Sequence, residues 1–202
     1  MAPPPDTSER PLGLRERKKA RTRAAIQLHA LRLFKAQGYT ATTVDEIAEA
    51  AEVSPSTFFR YFPTKEDVVL HDSLDPLLLA AFRGQPAELT PLQALRAALA
   101  QMRAELPPEE WAREEARHEL VVAVPELRAR LIDGMLAMTH LLADVVAERV
   151  GRAPGDFEVR VFTGALVGVA MTTMLEADEH AIDGYFARFE EALKLLEAGL
   201  PL

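Results

Sequence analysis

The sequence predicts an all-α chain, and three observations carry that expectation. No stretch alternates apolar and polar residues as a half-buried strand does. Prolines and glycines cut the chain into helix-length pieces, with Pro91, Pro107 and Pro125 at starts and Gly38 and Gly151 at stops. Helix-start signals stand at the right places: Thr43 three residues before Glu46, Ser54 before Pro55, and Thr90 before Pro91. Internal repeats are absent.

The elements follow in order. Residues 1–12, rich in proline, read as a disordered tail. Ile26, Ala30, Leu33 and Phe34 form the apolar stripe of a first helix, and Gly38 ends it. Thr43 and Glu46 make a capping box for a second helix with Val44, Ile47, Ala48 and Ala51 on one face. Ser54 caps a third helix, with Pro55 in its first turn and Phe58 and Phe62 inward. Val53 and Phe58 stand at the two positions of a hydrophobic staple. Pro63 closes this helix, and Thr64 with Asp67 caps the next. That helix runs from Lys65 to about Phe82, broken or bent near Pro76. Five more helices are expected: Pro91 to Leu106, Pro107 to Val122, Pro125 to Val150, Phe157 to Glu176 and Ile182 to Ala198.

Charge is distributed unevenly. Nine cations and one acid, Glu16, lie between Arg10 and Lys35. Up to Lys65 the balance is +4, and over the remaining 137 residues it is −12, for a total of −8. A basic first third on an acidic chain fits a polyanion-binding module joined to something that binds no polyanion. With no cysteine there is neither a disulfide framework nor a thiolate metal site. The N-terminus lacks the apolar core of a signal peptide. The longest apolar run, 164–175, is too short to span a bilayer, so no membrane partner is expected and the protein is read as cytoplasmic.

The stretch from Thr43 to Lys65 carries the function. Two short helices joined by a tight turn present Ser56, Thr57, Phe59, Arg60 and Tyr61 away from the core. Such a helix fits a groove about 12 Å wide. Arg60 suits a guanine edge or a phosphate, Ser56 and Thr57 suit either, and Phe59 suits a thymine methyl. Lys65, at the start of the fourth helix, can hold a phosphate together with free backbone N–H groups. Arg15, Arg17, Lys18, Lys19 and Arg21 form a basic arm beside the motif.

Residues 15–72 closely resemble the N-terminal domain of TetR-family transcriptional regulators. The resemblance rests on IxxxAxxLFxxxG at Ile26–Gly38, TTVDEIAEAAEVS at Thr42–Ser54 and TFFRYFPTKEDV at Thr57–Val68. It implies a three-helix helix-turn-helix DNA-binding domain, taken as 13–64, and a helical ligand-binding and dimerisation bundle, taken as 65–202. By resemblance, Pro55, Ser56, Phe59 and Arg60 reach base edges, while Thr43, Thr57, Tyr61 and Lys65 hold phosphates. Glu52 replaces a frequent turn glycine, which predicts a positive φ. Phe59 replaces a frequent tyrosine and loses its hydroxyl. The resemblance also implies a homodimer on a palindromic double-stranded operator. It further implies that the last two helices form the interface, through Gly164, Gly168, Phe186, Phe189 and Leu193, although an intramolecular core explains those residues equally well.

The C-terminal pattern, with DPLLLAAFRG at Asp75–Gly84 and VPELRARL at Val124–Leu131, looks like a subgroup with acyl-CoA-like ligands. A pocket is expected from Leu78, Leu99, Met102, Trp111, Leu120, Met135, Met138 and Leu166, with Arg117 and His118 facing an anionic head group. For any one of these, ordinary core is the simpler account. No catalytic constellation is present. Glu115 and His118 make one Glu-x-x-His pair without the second copy that a di-iron bundle requires, so no metal and no cofactor is expected. The expected protein is a ligand-responsive homodimeric regulator, usually a repressor, and not an enzyme. The alternatives are a helical metal-binding protein or enzyme with an incidental hairpin, and an architectural DNA-binding protein without effector.

Overall fold

The computed structural model describes residues 13–72, 74–175 and 182–201. The expected tail at 1–12 lies outside the described residues. Ten helices and no strand occur among those described. The chain divides into two compact units, Met1–Val68 and Val69–Leu202.

In the first unit α1 (Leu14–Gln37), α2 (Val44–Ala50) and α3 (Pro55–Tyr61) enclose a small core. Ile26, Ala30, Leu31, Phe34, Ile47, Ala48, Phe58 and Phe62 are buried in it. The α1 stripe differs from expectation, because Leu31 is buried where Leu33 is only half-buried. Gln27 shares the stripe. Its Nε2 donates to the Val68 carbonyl at 3.0 Å, which satisfies a buried amide. Gly38 ends α1 at φ +90, with its N–H on the Phe34 carbonyl. α4 (Lys65–Leu70) begins in this unit.

The second unit holds α5 (Asp75–Arg83), α6 (Pro91–Glu105), α7 (Pro108–Ala123), α8 (Pro125–Val150), α9 (Phe157–Leu175) and α10 (Ile182–Glu197). The expected helix from Lys65 to Phe82 is two helices. The break is near Pro76, as expected: α4 ends at Leu70 and α5 begins at Asp75, so Pro76 falls in the first turn of α5, where a missing N–H is harmless. The Asp72 Oδ1 accepts the Leu74 and Asp75 N–H groups at 2.7 and 3.3 Å, and so caps the new helix. Pro107 is the N-cap of α7. The core joins Leu95, Ala98 and Leu99 of α6 to Val145 and Val146 of α8, Leu166 of α9 and Leu193 of α10. Arg149 clamps the loop between α5 and α6, donating to the carbonyls of Gln85, Pro86 and Leu89.

Candidate nucleic-acid interface and effector cavity

The turn between α2 and α3 is set by local hydrogen bonds. The Val53 N–H donates to the Ala48 carbonyl at 2.9 Å and the Glu52 N–H to the Glu49 carbonyl at 3.0 Å. This pairing ends a helix with one left-handed residue. Glu52 is that residue, at φ +54, as its place in the motif predicts. The Thr43 hydroxyl accepts the Glu46 N–H at 3.3 Å, and the Glu46 carboxylate takes the Thr43 N–H at 2.7 Å. These bonds hold the Glu46 carboxyl below its ordinary range, the backbone bond from Thr43 contributing most. The Ser54 Oγ accepts the Thr57 N–H at 3.1 Å and starts α3.

Phe58 and Phe62 anchor α3, with ring centroids 6.0 Å apart. Pro55, Ser56, Phe59 and Arg60 consequently face solvent, Phe59 at 51% exposure. A half-exposed phenylalanine, with its edge held 5.4 Å from Phe58, is a preset apolar contact. Arg60 lies over the Tyr61 ring at 5.4 Å. A groove of about 740 Å³ runs between the start of α1 and the end of α3, lined by Arg15, Lys18, Lys19, Thr22, Arg60 and Tyr61 with Leu14 and Glu16. The basic arm, including Arg17 and Arg21, is therefore an exposed helical extension of α1.

Lys65 stands at the start of α4, as expected, and its ammonium is engaged within the protein. Its ammonium donates to the carbonyls of Tyr39 and Thr42 at 2.9 and 3.0 Å and lies 4.3 Å from the Tyr39 ring centroid. One N–H of three is left for a phosphate. These bonds tie the 39–42 turn to the start of α4, where Tyr39 also donates to Glu66 at 2.9 Å. The Thr43 hydroxyl is engaged with Glu46 in the same way. Thr57 accepts from Ser54, and Tyr61 is half-buried against the groove.

The second unit contains a cavity of about 260 Å³, the space of roughly nine waters. Leu78, Leu99, Met102, Met135, Met138 and Leu166 line it, as do Arg117 and His118. Trp111 does not. It stands edge-on to Phe186 at 5.0 Å, and Phe186 forms the wall. Leu120 is likewise absent from the lining.

The polar end of the cavity holds more carboxylates than cations. The Arg117 Nε donates to Glu114 at 2.6 Å, and its terminal nitrogen donates to Asp72 at 2.6 Å. Glu114 is fully buried and Asp75 lies nearby. Burial pushes the Asp75 carboxyl up to about 7, the charges of Asp72 and Glu114 adding to this and Arg117 opposing it. Burial and then the Arg117 charge hold His118 below its ordinary value, and its Nε2 is buried without a hydrogen-bond partner among the described residues. Tyr185, also raised by burial, lies 5.4 Å from the His118 ring. Among the described residues, no group of three or more His, Asp or Glu could hold a metal ion.

Two family models match the chain. One, described as bacterial regulatory proteins of the tetR family, matches residues 28–71. The other, described as the MftR C-terminal domain, matches residues 89–201. The transcriptional regulator TcmR of Streptomyces glaucescens is 40% identical over 200 residues, covering 93% of this chain and 88% of its own length. MftR of Mycobacterium tuberculosis is 30% identical over 179 residues, 88% of each chain. This chain belongs to the TetR family. It is a transcriptional regulator, in a family whose members here are regulators rather than enzymes. The crystal structure of FadR from Thermus thermophilus, a repressor in complex with lauroyl-CoA, superposes with a TM-score of 0.51 at 26% identity, covering 89% of this chain and 95% of that one.

Within this TetR-family chain, the residues proposed for dimerisation separate into two sets. Gly164 and Gly168 are exposed on α9, and a Cβ at either would meet nothing within 4 Å. Phe157 and Val161 continue the same face, at 77% and 53% exposure. Phe189 and Leu193, by contrast, are buried in the core of their own unit, and Phe186 is a cavity wall. The sequence could not separate these cases, because an apolar stripe is required for either. The window Phe157–Met174 also meets the length and composition of a membrane span, with a mean hydropathy of 1.3, so the apolar run begins seven residues before Gly164. Only 28% of that window is buried, which leaves one face of α9 open. Sequence reasoning missed Asp72, Asp75, Glu114 and Tyr185. Glu114, three residues before Arg117 on the inward face of α7, was the available signal. Its neighbour Glu115, one half of the Glu-x-x-His pair, is only half-buried.

Proposed function

We propose that this regulator acts as a homodimeric repressor in the cytoplasm, bound to a palindromic operator and released by a small, mostly apolar effector seated in the 260 Å³ cavity. The observation that carries the DNA-reading part is α3. Phe58 and the C-cap Phe62 are buried, and Pro55, Ser56, Phe59 and Arg60 stand exposed together beside a groove with four lining cations. In this reading Arg60 and Phe59 touch base edges, and Thr43, Thr57, Tyr61, Lys65 and the arm hold the backbone. The open stripe Phe157, Val161, Gly164 and Gly168 of α9 meets its symmetry mate, the small residues permitting close approach. The domain boundary is proposed near Lys65, in α4, whose C-terminal Leu70 already lines the cavity. An effector that prefers one arrangement of the segment 70–75 thereby biases the DNA-binding unit, and must bind the released state more tightly to do so.

A second reading of the effector is an acyl-CoA-like molecule, favoured by the likeness to the Thermus FadR captured with lauroyl-CoA.

Selection from a random duplex library tests the reader residue. Arg60→Ala is expected to relax preference at one position per half-site and to weaken the selected operator by about 1–3 kcal/mol per lost bidentate contact. A mutant that selects the wild-type operator unchanged would make Arg60 a positioning residue and remove the base-reading role.

A further inference from the structure

Resting on the cavity as effector site, we propose that the effector carries a positive charge, an ammonium-type group on an apolar body, read by Asp72 and Asp75 at the polar end of the cavity. Three carboxylates meet one guanidinium there. Arg117 is engaged by Glu114 and Asp72, each at 2.6 Å. Asp72 is further engaged by two backbone N–H groups. Among the described residues, the Asp75 carboxylate has no hydrogen-bond or ion-pair partner, although it lines the same space. A second observation points to a ligand: the His118 Nε2, in a side chain only 5% exposed, lines this cavity and has no partner either. A buried polar atom without a partner carries a desolvation cost that a bound group can offset.

The sign of the charge follows from the surroundings. An anionic head placed here would face excess negative charge in a poorly solvated site, and the one guanidinium that could receive it is already doubly paired. A cation would supply the missing counter-charge to Asp75. Arg117 and His118, expected from sequence to receive an anion, therefore take different parts. Arg117 positions the acids, and His118 offers a neutral hydrogen bond. Asp72 and Asp75 bracket the break that follows α4, so the cation is bound by the segment leading to the DNA-binding unit.

Protonation should report on this. The groups facing Asp75 are Asp72 on the connecting segment, Glu114, Arg117 and His118 on α7, and Tyr185 on α10. With the Asp75 carboxyl raised to about 7, a cation binds best to its ionised form and displaces a proton. Affinity for a cation should then rise about tenfold from pH 6 to pH 8.

The experiment uses the full dimeric chain and three probes of one length, octylammonium, octanol and octanoate. Trp111, the single tryptophan, reports binding through Phe186. The expected order of affinity is cation, then alcohol, then carboxylate, with the cation also lowering operator affinity. Asp75→Asn should abolish both the cation preference and its pH dependence. If that variant fails to fold, the wild-type series at pH 6 and 8 decides. Tightest binding of octanoate, or of octanol, overturns the charge proposal. If either of those also releases the operator, the effector reading stands without it. If no probe binds while operator binding is intact, both fall.

Discussion

Replacing Arg117 by methionine is expected to destabilise the C-terminal unit by about 3–5 kcal/mol, because it removes the single cation from a buried acidic site. Glu114 is fully buried and its Oε2 lies 2.6 Å from the Arg117 Nε. Without the guanidinium that carboxylate stays buried and loses the Arg117 counter-charge. The double variant Glu114→Leu with Arg117→Met should recover part of the loss, since it removes the fully buried carboxylate while the less buried Asp72 and Asp75 remain. Urea unfolding monitored by circular dichroism at pH 5 and 8 measures both effects. A single variant as stable as wild type would mean that the pair is not buried as described. Asp75→Asn has the opposite sign. The folded chain holds the Asp75 proton up to about pH 7, far above the range of an unfolded aspartate, so ionisation costs stability as pH rises through that window. The asparagine variant should gain most above pH 7.

Gly168→Glu or Val161→Glu is expected to produce a folded protomer that neither dimerises nor binds its operator tightly. The open space around Gly168 accepts a side chain within the protomer, and replacing a mid-helix glycine raises helix propensity by up to about 1 kcal/mol. In a symmetric interface the same charge meets its own copy. Loss of the second half-site removes the gain from linked binding, about 10²–10⁴-fold in operator affinity. Light scattering and fluorescence anisotropy measure the two effects. A variant that remains dimeric moves the interface off this face of α9. Leu193→Arg is not a substitute test, since Leu193 is fully buried in its own unit and the variant would unfold it.

Local signals were read well from sequence. Thr43, Ser54, Thr64 and Thr90 cap where their spacing says, because a cap needs only its own three following residues. Glu52 takes the left-handed conformation that the turn demands. What the sequence did not show concerns partners distant along the chain. Lys65 reaches back 26 residues to the Tyr39 carbonyl, which no helix periodicity reports. Phe186, Phe189 and Leu193 face inward, a choice that the apolar stripe of α10 leaves open. The buried acids were hidden for a related reason. A carboxylate on a helix reads as solvated until the packing shows Arg117 brought to it from one side and Asp72 from the other.

The central claim, a twofold reader of DNA, is tested most directly by selecting duplexes from a random library with the wild-type chain. The enriched sequence should be an inverted repeat with half-site centres one helical turn apart, about 34–36 Å, or a multiple of it. Footprinting should protect both halves together. An enriched site with a single unrepeated half, or no enrichment above bulk DNA, would contradict the account.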